Sequence, residues 1–129
     1  MNTKFHVDES RPFFGKYWPK GVPHQIDLDP SLSLMNMLEN TVKRIPNEPV
    51  LWYLEETISY RQFFDYVVQF AGYLSEKGVK KGDVVAIHLP NSPQYMIAYY
   101  GTVSLGAIVT GINPQYKPME ILHQLQITN

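Results

Sequence analysis

VVAIHLPNSPQYMIAYYGTVSLGAIVTGINPQY, running from Val84 to Tyr116, contains no Asp, Glu, Lys or Arg. The whole chain is 18% charged, so about six charged residues would fall in such a stretch by chance. It is therefore either buried core or a membrane segment. Gly101, Gly106 and Gly111 interrupt it, and Pro93 and Pro114 bracket it. No unbroken apolar run reaches the ~20 residues a bilayer span requires, which leaves the core reading. Val84 to Leu89 is a near-continuous apolar run, as expected of a strand covered on both faces. Asn91, Ser92 and Pro93 form a helix start, with Ser92 as cap and Pro93 in the first helical position. The spacing predicts a helix over Gln94–Leu105 that ends at Gly106, a second buried strand over Ala107–Ile112, and a loop from Asn113 to Lys117. Strand, helix, strand is a parallel βαβ unit with a right-handed crossover, and the fold class is α/β.

Working outward, Lys80 to Asp83 reads as a turn. Before it, Tyr60–Lys77 is an amphipathic helix whose apolar stripe includes Phe63, Phe64, Val67, Val68, Phe70, Ala71 and Leu74. Ser59 and Gln62 have the spacing of a capping box, and Gly78 can take the left-handed conformation that closes a helix. Val50–Tyr53 and Thr57–Ser59 read as a short β-hairpin with Glu55 and Glu56 in its turn. A first helix is expected over Leu32–Arg44, capped by Asp29 or Ser33, with Pro30 suited to its first turn. Residues 1–30 hold Pro12, Pro19, Pro23 and Pro30 among Phe13, Phe14, Tyr17 and Trp18. That composition predicts an extended N-terminal arm packed on other residues. Downstream, Pro118–Ile127 forms a flanking helix with Ile121, Leu122 and Leu125 on one face. Residues 31–129 are thus read as an incomplete α/β subdomain: a hairpin, a βαβ unit and flanking helices.

The bulk composition removes several function classes. With 129 residues and 44% hydrophobic content, the chain is one domain or a piece of a larger one. A formal net charge of −1 supplies no basic face for nucleic acid. There is no cysteine, hence no disulfide, thiolate metal site or thiol nucleophile. Residues 1–10 carry acidic side chains and no apolar segment, unlike a signal peptide, so a cytoplasmic location is the expectation.

Few residues point to chemistry. Gly101/Gly106 and Gly106/Gly111 have the offset of a phosphate loop, but no Lys-Ser/Thr follows either pair. Helix exit and close packing account for them instead. His6, His24, His88 and His123 share no metal-ligand spacing, and no metal site is assigned. His88 reads as a core or strand-end histidine, and His123 as a surface or interface residue. Tyr95, Tyr99 and Tyr100 read as packing at helical spacing. No nucleophile–base pair is present, and no catalytic residue is assigned. The best candidate is the loop after the second strand, Thr110, Gly111, Ile112 and Asn113. Ligands in parallel α/β sheets bind beyond the carboxyl ends of the strands. The competing reading makes Asn113 a turn residue bonded to its own backbone.

Several segments together resemble one family. They are Trp18-Pro19-Lys20-Gly21-Val22-Pro23, Ile58-Ser59-Tyr60, Gly78 to Ile87, Leu89 to Tyr95, Gly106 to Val109, Asn113 to Tyr116, Pro118 to Ile121 and His123 to Leu125. In this order and spacing they resemble the N-terminal part of the AMP-forming, adenylate-forming ligases, and among them the long-chain fatty-acid–CoA ligases. The resemblance covers about Pro12 to Asn129. Lys117 departs from it, standing where the family usually has Thr or Ser. The resemblance implies a reaction in which a fatty acid attacks ATP, with magnesium, to give acyl-AMP and pyrophosphate. The thiol of CoA then displaces AMP. ATP, Mg and CoA are thus implied as cofactors of a full-length ligase, and fatty acid and CoA as its partners. A membrane-peripheral position is implied as well. The family's phosphate loop, adenine-binding segment, ribose-binding aspartate and catalytic lysine are not among these residues. The segment matching Thr110 to Asn113 is expected to run near the acyl and pantetheine channel.

Two readings follow from the sequence. In the first, the chain is an N-terminal fragment of a fatty-acid–CoA ligase, inactive alone and carrying no bound cofactor. In the second, it is an autonomous α/β binding or structural module. An unpaired sheet edge and uncovered apolar surface favour the first, and lead to an expectation of self-association or marginal stability.

Overall fold

The computed structural model describes residues 18–23, 29 and 31–128. The chain forms two compact units, Met1–Ser33 and Leu34–Asn129. The expectations placed on Pro12, Phe13, Phe14, Tyr17 and Pro30 lie outside the described residues. In the first unit the Trp18 indole N–H donates to the Val22 carbonyl at 2.8 Å, over a turn in which Gly21 has φ 88°. Asp29 closes a local turn and caps no helix. Its carboxylate accepts the Ser31 hydroxyl at 2.7 Å and the Ser31 N–H at 2.9 Å. The hydroxyl and then the N–H hold Asp29 below its ordinary pKa.

The second unit runs α1 (Leu34–Arg44), β1 (Pro49–Tyr53), β2 (Glu56–Ser59), α2 (Tyr60–Glu76), β3 (Val84–Ile87), α3 (Pro93–Ser104), β4 (Ile108–Gly111) and α4 (Pro118–Ile127). β1 and β2 pair antiparallel, and β3 and β4 pair parallel with Val84 opposite Ile108 and Ile87 opposite Gly111. The hairpin turn is Leu54-Glu55. Glu56 already pairs with Tyr53 and belongs to β2, not to the turn. Leu54 has φ 55° and is 89% exposed, an uncommon conformation for a side chain of that bulk.

Two helices of the core, α2 and α3, start and stop by local chemistry. Ser59 and Gln62 form a reciprocal capping box: the Ser59 N–H donates to Gln62 Oε1 at 2.9 Å and the Gln62 N–H to Ser59 Oγ at 3.3 Å. At the other end Val79 N–H reaches the Leu74 carbonyl and Gly78 N–H the Ser75 carbonyl, with Gly78 at φ 90°. This is the paired closure that a left-handed residue permits. Pro93 opens α3 with Ser92 as its cap, and Gly106, at φ 71°, follows the C-cap Leu105.

The core lies where α1, α2 and α3 meet the hairpin. Leu38, Val42, Phe63 and Val67 form its centre, flanked by Val50, Leu51, Ile58, Met96 and Tyr100. Phe63 meets Tyr100 edge to face at 5.4 Å, a geometry favoured by the ring quadrupoles. α2 packs along α3, and Gly101 makes this close approach possible. A methyl group there would come within 2.8 Å of Phe70 Cδ1 and 3.3 Å of the Val67 carbonyl oxygen.

Two further expectations are corrected. Val68 is exposed and lies outside the buried stripe of α2. The parallel strands are not covered on both faces: Val84 and Ile108 are exposed, while Ile87 and the flanking Ala107 and Ile112 are buried. With two strands in this sheet among the described residues, α3 contacts the pair and Val84 and Ile108 stay open. α4 likewise has no buried residue; Leu122 and Leu125 are exposed. Among the described residues, no helix is long and apolar enough to cross a membrane.

Two stability predictions follow. Gly78→Val is expected to lower stability by about 1 kcal/mol or more, because a β-branched residue is poorly accommodated at positive φ; an unchanged urea midpoint would show that the closure contributes nothing. Thr102 is 0% exposed and its Oγ1 has no hydrogen-bond partner among the described residues. Thr102→Val, nearly isosteric, should raise stability by about 1 kcal/mol by removing an unsatisfied hydroxyl, read as a higher midpoint in the same titration.

Candidate functional site at the carboxyl end of β4

The loop singled out in the sequence lies at the carboxyl end of the parallel pair. Gly111 is the last residue of β4, paired with Ile87, and the Ile112 N–H continues the ladder to the Ile87 carbonyl at 2.9 Å. The four candidate residues have separate environments. Thr110 is half-buried, and its Oγ1 accepts the Gln124 side-chain amide of α4 at 3.1 Å. Gly111 has no left-handed φ, so its backbone alone does not demand glycine. Its neighbour crowds the position: a methyl group built there would stand 3.1 Å from the Tyr95 hydroxyl, so the phenol would have to shift by a few tenths of an ångström. Ile112 is 4% exposed and belongs to the core. The Asn113 side-chain oxygen accepts the Gln115 N–H at 3.0 Å, and the Tyr116 N–H closes the turn on the Asn113 carbonyl at 2.9 Å. These bonds form the self-capped turn expected of Asn before Pro.

Tyr95 and Gln124 are the residues that sequence reasoning missed here. Helical spacing alone groups Tyr95 with Tyr99 and Tyr100 as packing. Tyr100 does pack on Phe63, but Tyr95 sits on the first turn of α3, where Ser92 Oγ accepts its N–H at 3.4 Å, and its hydroxyl lies beside Gly111. Gln124 has no local signal, because its partner Thr110 is 14 residues away. Beyond the loop, Tyr116, Met119, Glu120, His123 and Gln124 border a surface cavity of about 300 Å³. His88 lies one residue past β3 and is exposed, so it is a strand-end residue.

α4 keeps half of a capping box despite the lysine at its cap. Glu120 Oε2 accepts the Lys117 N–H at 2.8 Å. A lysine ammonium has no acceptor to return to the helix. The described residues contain no group of three or more His, Cys, Asp or Glu able to hold a metal ion.

Four helices with a hairpin and a parallel βαβ unit match part of the N-terminal subdomain of adenylate-forming enzymes. The Klebsiella oxytoca NpsA N-terminal subdomain, solved in complex with anthranilyl-AMSN, superposes with a TM-score of 0.72 at 23% identity, over 74% of this chain and 25% of that one. The Bacillus subtilis O-succinylbenzoate Coenzyme A synthetase (MenE), solved with AMP, gives 0.66 at 27% identity, over 69% and 23%. Residues 38–128 match the AMP-binding enzyme family, and the chain belongs to that family. Among curated relatives, the long-chain-fatty-acid–CoA ligase of Yersinia pestis is 40% identical over 111 residues, 85% of this chain and 20% of the relative. That of Bacillus subtilis is 31% identical over 120 residues, 93% and 21%. A probable 4-coumarate–CoA ligase 1 of Dictyostelium discoideum is 30% identical over 89 residues, 65% and 16%. The chain thus spans about a fifth of the length of the long-chain ligases it matches.

Two substitutions test this local geometry. Asn113→Ala should cost about 0.5–1.5 kcal/mol by removing the acceptor for Gln115, seen as a lower chemical-denaturation midpoint. Lys117→Thr should restore the missing half of the cap and stabilise the chain by about 1 kcal/mol; no change in midpoint would mean that α4 contributes nothing to cooperative unfolding.

Proposed function

We propose that these residues serve an AMP-forming ligase that joins a long-chain fatty acid to CoA, as its N-terminal part. The observation carrying this is the 40% identity to a long-chain-fatty-acid–CoA ligase across 85% of the chain. In the proposed reaction a fatty-acid carboxylate attacks the α-phosphorus of ATP, forming acyl-AMP and expelling pyrophosphate. The CoA thiol, losing its proton, then displaces AMP to give the thioester. ATP, magnesium and CoA belong to this proposal as cofactors and co-substrate. Among the described residues no group of three or more His, Cys, Asp or Glu is placed to hold a metal ion.

Within that reaction, Thr110, Gly111, Ile112 and Asn113 border the channel for acyl chain and CoA, as the wall at the strand ends. The 129 residues contain no phosphate loop with lysine, so the chain alone is inactive. The proposal also includes a cytoplasmic location at the membrane periphery, since each buried methylene of a fatty acid favours the bilayer by about 0.8 kcal/mol. Self-association through the exposed Ile108, Met119, Leu122 and Ile127 completes it.

Two assays test this reading. Replacing the matching fifth of the Yersinia pestis ligase by residues 18–128 should give a chimera that forms acyl-CoA from palmitate, ATP and CoA; a folded chimera without that activity would overturn the ligase proposal. The isolated chain should release no pyrophosphate, because electrostatic groups of the missing type lower barriers by about 3 kcal/mol each. Fatty-acid-dependent pyrophosphate release by the highly purified chain would refute its inactivity. Sedimentation should show oligomers, and a compact monomer would remove self-association from the proposal.

A further inference from the structure

Outside the core and the helix caps, the Tyr95 hydroxyl lies close over Gly111. Gly111 is a glycine without a backbone reason. Its φ is not left-handed, and a methyl group built there would crowd the Tyr95 hydroxyl at 3.1 Å. Tyr95 is half-buried on the first turn of α3, behind Pro93 and the Ser92 cap. On the neighbouring residue of the strand, Thr110 is tethered to Gln124 of α4 at 3.1 Å. Contacts from two helices therefore hold consecutive residues at the end of β4. Residues 84–116 include no Lys or Arg, so beside the phenol the strand end offers the Thr110 hydroxyl, the Asn113 amide and the exposed His88 imidazole, but no ammonium or guanidinium for a carboxylate. Such a wall suits the uncharged length of a substrate and not its ionised head.

We propose that Tyr95 is a specificity-determining residue: seated over Gly111, it narrows the strand end so that a straight alkyl chain passes along it and a ring-bearing acid does not. The inference rests on the ligase reading and extends it to the shape of the acid. Relatives of this chain are named for long-chain fatty acid and for 4-coumarate, acids of different shape. A glycine beneath a fixed phenol provides a physical means of setting substrate width. Shape discrimination of this kind amounts to factors of ten to a few hundred.

The test uses the 129-residue chain itself, with decanoate and 4-coumarate as probes. Amide shifts of Thr110 and Gly111 are followed by NMR as each acid is added. Decanoate should move these amides with an affinity about tenfold above that of 4-coumarate. In Tyr95→Leu that preference should fall to near parity. Gly111→Ala, which pushes a methyl group against the phenol, should weaken decanoate severalfold. If Tyr95→Leu loses amide dispersion, Gly111→Ala decides the matter alone. Equal affinities in the unaltered chain, a preference unmoved by the substitutions, shifts confined to α4, or no shift with either acid would each overturn the proposal. The ligase reading fails separately, by a folded chimera that makes no acyl-CoA.

Discussion

The close approach of α3 to α2 at Gly101 governs the arrangement of the second unit. α3 is the crossover between the two parallel strands, so its position on α2 sets the distance between the sheet and the helical core. With a methyl group at Gly101 only 2.8 Å from Phe70 and 3.3 Å from a backbone oxygen, α3 would have to rise. The flexible ring can turn aside, but the Val67 carbonyl is part of the helix and cannot. The edge-to-face contact of Phe63 with Tyr100 and the burial of Val67 and Thr102 depend on the same seating. So does the placement of Tyr95 at the end of β4, because it rides on the same rigid rod.

Where a structural cause is local, the sequence was sufficient. The Ser59–Gln62 box, the Gly78 closure and the Ser92-Pro93 start each depend on residues within a few positions of one another. The helix boundaries followed from them, and the βαβ order from the uncharged stretch. Burial of the strands was less legible. An apolar run at Val84 to Leu89 shows that residues can be covered, but not how many layers are present to cover them. The open faces at Val84 and Ile108 come from a sheet of two strands. Asp29 shows a further limit: a good capping residue also makes a good turn, and Ser31 lies nearer than the helix.

The candidate site divides along the same line. The turn at Asn113 was readable because an Asn before Pro carries its acceptor with it. The tether of Thr110 to Gln124 and the meeting of Tyr95 with Gly111 were not. Both join residues on different elements, and their partners are set by how α3 and α4 approach β4. A glycine in a strand signals close approach, but the approaching residue emerges only when the helices are in place. The absence of charge from residues 84–116 has a double consequence. It lets the βαβ unit bury its centre at little desolvation cost, and it leaves the strand end without a Lys or Arg of its own.

The hairpin offers a different lesson through Leu54. A leucine at φ 55°, 89% exposed, contributes little packing and holds a backbone shape that residues with a β-carbon resist. Strand alignment must then be fixed by the cross-strand partners Trp52–Thr57 and Tyr53–Glu56 and by the irregularity between Pro49 and Leu51, with the tip following passively. Such a tip tolerates lengthening. A short glycine-rich epitope or a fluorophore-bearing loop spliced between Leu54 and Glu55 would release the constrained bend, pay only the slowly growing entropy of a longer loop, and give a handle remote from β4.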